Sequence, residues 1–283
     1  MKVIAFVSNK LGVGKTTCSR ALAEYLSNIK KIPTLAIDFD PQGHFSQHFL
    51  VMQTDAAVPA NYKPPVHPDF NPNDPDDADW DGVSSIAEIF YGEGVIPYPT
   101  NIKNLDVAPA HSEKLRAAET VRKSEAMEKV HNRLADFLSS QDVRAAYQAV
   151  VIDTGPAKGP LAISVMKAAT HIVIPAVMEE KSVEGIYGML QLWMQEALIR
   201  EKHRPLKLVG ILPTLFKSHG HAHKDLLAGL QDNIAIGKYV MPVKLSERGA
   251  FAKAIFDVSA NQAATEEALE VCNYITEKVF AHD

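Results

Sequence analysis

Cysteine is scarce in this sequence, and long hydrophobic runs are missing from it. Its 283 residues include two cysteines, Cys18 and Cys272, which give no disulfide framework, fit a reducing cytoplasm and cannot form a four-thiolate cluster within one chain. No apolar run reaches the roughly 18–20 residues that span a bilayer. The apolar segment at residues 3–7 is too short for a signal peptide. We therefore expect a cytoplasmic protein without a membrane partner.

A basic excess is also lacking, since the formal net charge is -5. The charge is nevertheless uneven along the chain. Residues 55–81 hold seven aspartates and one lysine, whereas residues 200–253 hold ten lysines and arginines against four acidic residues. A basic face of this kind can act locally even when the whole chain is acidic.

Short apolar runs alternate with helical patterns along most of the chain. Strands are predicted at 3–7, 34–38, 104–108, 149–153, 171–175, 206–212 and 238–241, and helices at 16–29, 83–90, 112–138 (one helix or a pair), 161–169, 183–200, 225–233 and 263–280. This order predicts an α/β fold with a doubly wound, mostly parallel twisted sheet flanked by helices, forming a single domain over 1–283. Residues 52–83 break the pattern with six prolines among aspartates and asparagines, which predicts a surface insertion, extended or partly disordered.

A phosphate-binding motif, Gly-Val-Gly-Lys-Thr-Thr, lies at residues 12–17 between the first predicted strand and the first helix. Free N–H groups and the positive dipole end of the helix would bind an anion. Lys15 would neutralise the outer phosphates of a nucleotide, and the Thr16 hydroxyl would ligate Mg²⁺. The usual motif, however, requires a glycine where this chain has Asn9.

Three aspartates follow two predicted strands, where ligands of an open α/β sheet bind. Asp153 ends a strongly apolar strand and would hold Mg²⁺ through water beside the phosphate loop. Asp38 and Asp40 lie at the end of the second predicted strand and, being two residues apart, point to the same side. One of the pair would support the metal and the other would orient a water molecule for in-line attack.

Five segments, KLGVGKTT, IDFDPQG, VVIDTGP, IPAVMEEKSVEGI and KLSERGAFAKAI, follow in the order and spacing of the ParA/MinD family of deviant P-loop ATPases. The sequence resembles this family over nearly all of its length except about 52–83. The D-x-D-P-Q-G box is typical of the ParA branch, which partitions plasmids and chromosomes with ATP and Mg²⁺. The resemblance therefore implies an ATPase that converts ATP to ADP.

The resemblance also implies residue roles. Lys10 would be the signature lysine that reaches the partner's ATP in a homodimer, which explains why Asn9 need not be glycine. Asp40 would orient the attacking water. Thr16 would ligate Mg²⁺, and Asp38 and Asp153 would support it. The nucleotide-binding residues implied are Lys10, Leu11, Gly12, Val13, Gly14, Lys15, Thr16 and Thr17, with Pro213, Thr214 and Pro242 near adenine.

Two positions depart from the family pattern. Leu11 stands where a glycine is usual, next to the lysine that crosses the dimer. It would either crowd the partner's loop, at an overpacking cost of about 1–3 kcal/mol, or be accommodated by a compensating gap. His44 follows the D-x-D-P-Q-G box where the family often has asparagine, and we interpret it as a polar loop residue.

The short ParA form binds DNA non-specifically as an ATP dimer, associates with the nucleoid and is stimulated by a ParB-like adaptor. Forms that bind operators carry an N-terminal helix-turn-helix, which this sequence, beginning at the first strand, is expected to lack. Non-specific binding rests on phosphate contacts from basic residues. The candidates are Lys217, Lys224, Lys244 and Arg248, with His219, His221 and His223 between them.

Other functions remain open. A MinD-like ATPase would end in a basic amphipathic helix, whereas residues 266–283 are acidic. A relative of the nitrogenase iron protein would need paired cluster cysteines. A metabolic P-loop ligase of the dethiobiotin-synthetase type shares the fold but would not need Lys10 or a basic face. A ParA-like ATPase that positions a protein cargo or a cell-division site would use the same switch with another adaptor.

Overall fold

The computed structural model describes residues 1–54, 58–121, 124–156, 159–217, 220–247, 255–256 and 261–281. The strands are β1 Lys2–Ser8, β2 Thr34–Phe39, β3 Gln53–Thr54, β4 Tyr62–Lys63, β5 Tyr98–Pro99, β6 Leu105–Ala108, β7 Ala149–Pro156, β8 His171–Val177 and β9 Lys207–Thr214. Seven of them form one sheet in the order β5-β6-β2-β7-β1-β8-β9. Every pairing is parallel except that of β5 with β6. This confirms the predicted mostly parallel α/β fold.

Helices cover both faces of the sheet. They are α1 Lys15–Glu24, continued by the π-helical turn Tyr25–Ile29, α2 Ser112–Glu119, α3 Ser124–Ser139, α4 Gln141–Ala146, α5 Pro160–Ala168, α6 Glu180–Ile199, α7 His221–Gln231 and α8 Gln262–Phe280. Alternate residues of β1 point to opposite faces. Ala5 lies in the core with Leu134, Val165 and Ile186 of α3, α5 and α6, whereas Phe6 lies in the core with residues of α1 and α8. The sheet is therefore doubly wound.

The strand order places the predicted site residues at the carboxyl ends of neighbouring central strands. β7 lies between β1 and β2, so the chain leaving β1 crosses over β7 to reach β2. In the register of these strands, Asp153 of β7 stands opposite Asp38 of β2 and opposite Phe6 of β1. The carboxyl ends of the three strands therefore meet where ligands bind in open parallel sheets.

Most predicted elements are present. The segment at 112–138, predicted as one helix or a pair, is the pair α2 and α3. The helix predicted at 83–90 is a 3₁₀ helix, Ile86–Phe90, and α4 and β5 were not predicted. The strand predicted at 238–241 is wrong. A 3₁₀ turn, Gly237–Tyr239, occupies its first half, and Val240 makes only an isolated parallel bridge to Ile211. Pro242 follows directly and has no N–H to continue a ladder.

The described part of the proline-rich insertion folds back on the domain. β3 and β4 form a short antiparallel hairpin within it, and Asp74 caps a 3₁₀ turn at Pro75–Asp77. His67 is buried between the rings of Trp80 and Tyr98, the latter from β5. The Tyr98 hydroxyl donates to the carbonyl of Pro65 at 2.8 Å. Aromatic side chains among the prolines thus pack the insertion against the domain, although its composition predicts an extended or partly disordered segment.

Within the part of the chain that the structure describes, no helix is both long and apolar enough to cross a membrane.

Candidate functional site

The phosphate loop connects the end of β1 to the start of α1. Gly12 and Gly14 have φ of 70° and 79°, a left-handed conformation that glycine adopts without strain. Gly14 is the N-cap of α1, and among the described residues no side chain caps this helix start. Its first backbone N–H groups are therefore available to an anion. Thr17 lies in this first turn.

Lys15 is held inside the loop rather than in solvent. Its side chain is buried, and its ammonium donates to the carbonyl of Lys10 at 3.2 Å. Burial lowers the pKa of Lys15, while the nearby carboxylates of Asp153 and Asp40 oppose that shift. A buried ammonium with one neutral acceptor is suited to bind an anionic ligand.

Asp153 is fixed by two hydroxyl groups of α1. Thr16 Oγ1 donates to one carboxylate oxygen at 2.7 Å, and Ser19 Oγ donates to the other at 2.9 Å. Burial raises the pKa of Asp153 to about 6, and these two hydrogen bonds limit the rise. Ser19 was not predicted. Its signal was its position, one helical turn after Thr16 and on the same face.

Asp38 is fixed in a similar way from the other side. Its carboxylate accepts from the backbone N–H and the hydroxyl of Ser46, at 2.7 and 2.6 Å, and from the N–H of Asp40 at 3.1 Å. Complete burial, and then the neighbouring Asp153, raise the pKa of Asp38 to about 8. Ser46 was also not predicted, because its contact depends on how the chain turns after β2.

Asp40 lies at the solvent side of this pair. Its Oδ1 accepts from the N–H of Gln42 at 2.9 Å. A Cβ at Gly155 would lie 3.4 Å from that same oxygen, an ordinary contact distance, so the Asp40 carboxylate packs beside Gly155. The three predicted aspartates and Thr16 are thus gathered beside the phosphate loop.

The donors fit a hard divalent cation. Asp38 and Asp153 are buried carboxylates. Burial raises the pKa of both, and neighbouring carboxylates raise it further: Asp153 and Asp40 act on Asp38, and Asp40 acts on Asp153. Oxygen ligands of this kind are those that Mg²⁺ prefers. In the described ranges, no cluster of three or more His, Cys, Asp or Glu side chains could cage a metal alone. A Mg²⁺ here would therefore draw on hydroxyl, phosphate and water oxygens as well.

The loop residues before Gly12 contact α6. The Lys10 ammonium lies 3.2 Å from a carboxylate oxygen of Glu179 and 2.9 Å from the hydroxyl of Ser182. A Cβ at Gly185 would lie 2.6 Å from Asn9 Oδ1, so the Asn9 side chain packs directly against this glycine of α6. Glu179 and Ser182 were not predicted as neighbours of Lys10.

Leu11 points away from these contacts, with 67% of its surface exposed. It lies at the rim of a cavity of about 550 Å³ that also reaches Asp40 and His44.

The predicted adenine-side residues are partly brought to the loop. Thr214, at the end of β9, is buried, and its hydroxyl donates to the carbonyl of Val13 at 2.7 Å. The Pro213 carbonyl accepts from the N–H of Leu245 at 2.9 Å. Pro242 is exposed on the segment that runs beside β9.

Two of the predicted basic residues, Lys244 and Lys217, have side-chain contacts near the end of β9. Lys244 places its ammonium 4.4 Å from the centre of the Phe216 ring. Lys217 lies 3.6 Å from a carboxylate oxygen of Glu247, with both side chains largely exposed. Lys224 lies in α7, and Arg248 and His219 fall outside the described residues. DNA binding by this face stays a prediction.

Comparison with known proteins finds relatives along most of the chain. The family profile AAA_31, described as an AAA domain, matches residues 1–205. The chromosome partitioning protein ParA of Myxococcus xanthus is 26% identical over 262 residues, which cover 90% of this chain and 80% of that protein. The sporulation initiation inhibitor protein Soj of Bacillus subtilis is 26% identical over 280 residues, 97% of this chain and 98% of that one.

Among solved structures, a putative plasmid partition protein from Borrelia burgdorferi bound to AMPPNP matches with a TM-score of 0.69 and 20% identity. The match covers 98% of this chain and 99% of that chain. The profile match extends over more than half of the chain and includes the phosphate loop, Asp38, Asp40 and Asp153. The chain belongs to the ParA/MinD family of deviant P-loop ATPases.

Proposed function

We propose that this protein is an ATP-driven partition switch. ATP binding closes a homodimer, the dimer binds DNA non-specifically, a ParB-like adaptor on the cargo stimulates hydrolysis, and ADP release returns the monomer. The observation that carries the proposal is the assembled anion site, in which buried Lys15 and the uncapped start of α1 face the pair Asp38 and Asp153. A site of this composition binds a nucleotide triphosphate with its metal.

Each side chain has a distinct task in this proposal. Lys15 and the N–H groups from Gly12 to Thr17 bind the phosphates, and Thr214 holds the loop from the adenine side through Val13. Thr16, Asp38 and Asp153 would hold Mg²⁺, which supplies charge neutralisation on the phosphates. Asp40, whose carboxylate borders an open cavity, orients the attacking water and accepts its proton.

Lys10 links nucleotide binding to dimerisation. In this chain its ammonium is engaged with Glu179 and Ser182. The Lys10–Glu179 pair is partly exposed, with 35% and 54% of the side-chain surfaces accessible, so it is worth only about 0.2–1 kcal/mol. A partner's phosphate group, with more negative charge, would compete successfully for the ammonium. Lys10 therefore serves as the group that leaves α6 and reaches across the dimer.

The DNA contact is proposed for the face around Lys217, Lys224 and Lys244. Phosphate contacts from such residues release counterions, so binding should fall steeply with salt. The Lys217 and Lys244 side chains lie close to the carboxyl end of β9, the edge at which the nucleotide binds. Nucleotide-dependent closure would therefore place the two basic faces of a dimer together.

Co-sedimentation with DNA tests the proposal, in ATP, in ADP and without nucleotide, each at two salt concentrations. We expect binding with ATP only, weakened by salt. DNA binding that is equal with ATP, with ADP and without nucleotide would refute the switch. ATP hydrolysis and ATP-dependent dimerisation without any DNA binding would instead favour a ParA-like ATPase that positions a protein cargo.

A further inference from the structure

The exposed Leu11 and the cavity beside it form one continuous patch at the mouth of the nucleotide site. The floor and walls of the cavity are mainly apolar, with Phe39, Pro41, Pro156, Leu161, Ala162 and Val165 contributing. Its volume of about 550 Å³ exceeds what one leucine side chain fills. The remaining side chains that line it are polar or charged: Asp40, Gln42, His44, Arg116, Glu119 and Thr154. An apolar side chain and an apolar hollow are therefore presented side by side on the same surface.

Leu11 has no part in the contacts that build the anion site. Those contacts use the backbone at positions 10 to 14 and the side chains of Lys15 and Thr16. Single exposed leucines are common on protein surfaces, and Leu11 alone would mean little. What distinguishes it is its place at the rim of the cavity, directly after Lys10, the residue proposed to reach a second copy.

We propose that the cavity receives the Leu11 side chain of a second copy of this chain when the ATP-bound dimer forms. The inference rests on the dimer of the proposed function and assigns its central apolar contact. In a two-fold dimer the same patch occurs on both subunits and must be self-complementary. The patch formed by Leu11 and the hollow is self-complementary in this sense. Each Leu11 enters the hollow of the other copy, so the dimer contains the contact twice.

The contacts of the neighbouring residues support this orientation. Asn9 is packed against Gly185 and Lys10 against Glu179, so the loop before Gly12 is held on α6 while Leu11 remains outside. The hollow also removes the overpacking that a bulky residue would otherwise cause at a close interface. Leucine at position 11 then adds apolar burial to the dimer.

The test is the dissociation constant of the dimer, measured by sedimentation velocity in ATP and Mg²⁺. Leu11→Ala should raise that constant about a hundredfold, because each of the two symmetric contacts loses about a factor of ten when most of a leucine is no longer buried. Leu11→Met, which keeps the volume, should change it little. Leu198→Ala is the matched control, since Leu198 is 84% exposed on α6. ATP affinity is titrated for every variant.

A second variant fills the hollow from its own wall, at Ala162. Ala162→Phe should weaken the dimer as Leu11→Ala does, and the double variant should be little weaker than either single one, because both changes remove the same contact. Melting temperatures show whether Ala162→Phe folds. The Leu11 variants carry the test without it, because Leu11 is exposed in the monomer.

The outcomes separate the two proposals. A wild-type protein that binds ATP and stays monomeric refutes the dimer of the proposed function, and the inference with it. A wild-type dimer that forms equally well or more tightly with Leu11→Ala overturns the inference alone. That result would mean that Leu11 crowds the partner or that the hollow has another occupant, such as a small ligand, and would leave the switch intact.

Discussion

The contact between Asn9 and α6 gives a quantitative prediction from two glycines on the same helix. A Cβ at Gly185 would lie 2.6 Å from Asn9 Oδ1, whereas a Cβ at Gly188 would lie at an ordinary 3.5 Å from Asn9 Nδ2. Gly188→Ala should raise the free energy of unfolding by about 0.5–1 kcal/mol, because alanine is the better helix former. Gly185→Ala has the same helical gain but must turn the Asn9 amide away from its rotamer, at about 0.5–1.5 kcal/mol.

Denaturation by urea without nucleotide measures the difference between these two variants. Gly185→Ala should be less stable than Gly188→Ala by about 0.5–1.5 kcal/mol. Combining Gly185→Ala with Asn9→Ala should remove most of that difference, because the clashing amide is gone. The reasoning is refuted when Gly185→Ala is as stable as Gly188→Ala, since the Asn9 side chain would then not be held against α6.

Three further substitutions probe the site. Asp40→Ala should keep ATP binding and lower phosphate release by about 10²–10⁴-fold, the usual contribution of a positioned base. Glu179→Ala should tighten the ATP-dependent dimer about 2- to 30-fold in sedimentation, because each copy is freed of a Lys10 ion pair worth about 0.2–1 kcal/mol. Ser19→Ala should lower the free energy of unfolding by about 1.5–3 kcal/mol at pH 8. The loss should be smaller at pH 5, because the Ser19 bond favours ionised Asp153, and this contribution fades as pH falls through the Asp153 pKa of about 6.

Matched controls accompany these variants. Ser27 is buried, and within the described part of the chain its hydroxyl donates only to the backbone carbonyls of Ala23 and Glu24, so Ser27→Ala should cost the same at both pH values. Glu184 is exposed on α6, and Glu184→Ala should leave the dimer unchanged. Full turnover by Asp40→Ala, an unaltered dimer with Glu179→Ala, or a pH-independent loss with Ser19→Ala would contradict the corresponding role.

The sequence was sufficient for the sheet because its central strands are strongly apolar. Residues 149–152 are completely buried in β7, and an uninterrupted run of this kind indicates a central parallel strand. The acids that end such strands must then share an edge, which placed Asp38 and Asp153 together. Prediction failed at 238–241, where a short apolar segment between glycine and proline has the composition of a strand without the length to pair.

The contacts that hold the site were less accessible to prediction, because they depend on tertiary distance. The turn after β2 brings Ser46 back to Asp38 across eight positions, and the pairing of Lys10 with Glu179 joins residues 169 positions apart. No local pattern encodes such separations. The sequence showed that Asn9 and Leu11 are unusual, but their neighbours on α6 and in the hollow follow only from the fold.

The unusual residues of the loop lie in one half of it, which predicts a division of roles. Asn9 packs against Gly185 of α6, Lys10 pairs with Glu179, and Leu11 borders the hollow. The segment from Gly12 to Thr16 instead forms the anion site. Substitutions in the first half should therefore alter the dimer and leave ATP affinity of the monomer within a few-fold.

Lys15→Ala should instead reduce the ATP affinity of the monomer, because it removes the buried ammonium of the anion site. Titration of nucleotide at protein concentrations below the dimer dissociation constant, compared with sedimentation above it, separates the two effects. A loss of monomer ATP affinity with Leu11→Ala as large as that with Lys15→Ala would show that the loop acts as a single unit, and that its departure from the usual motif changes phosphate binding itself.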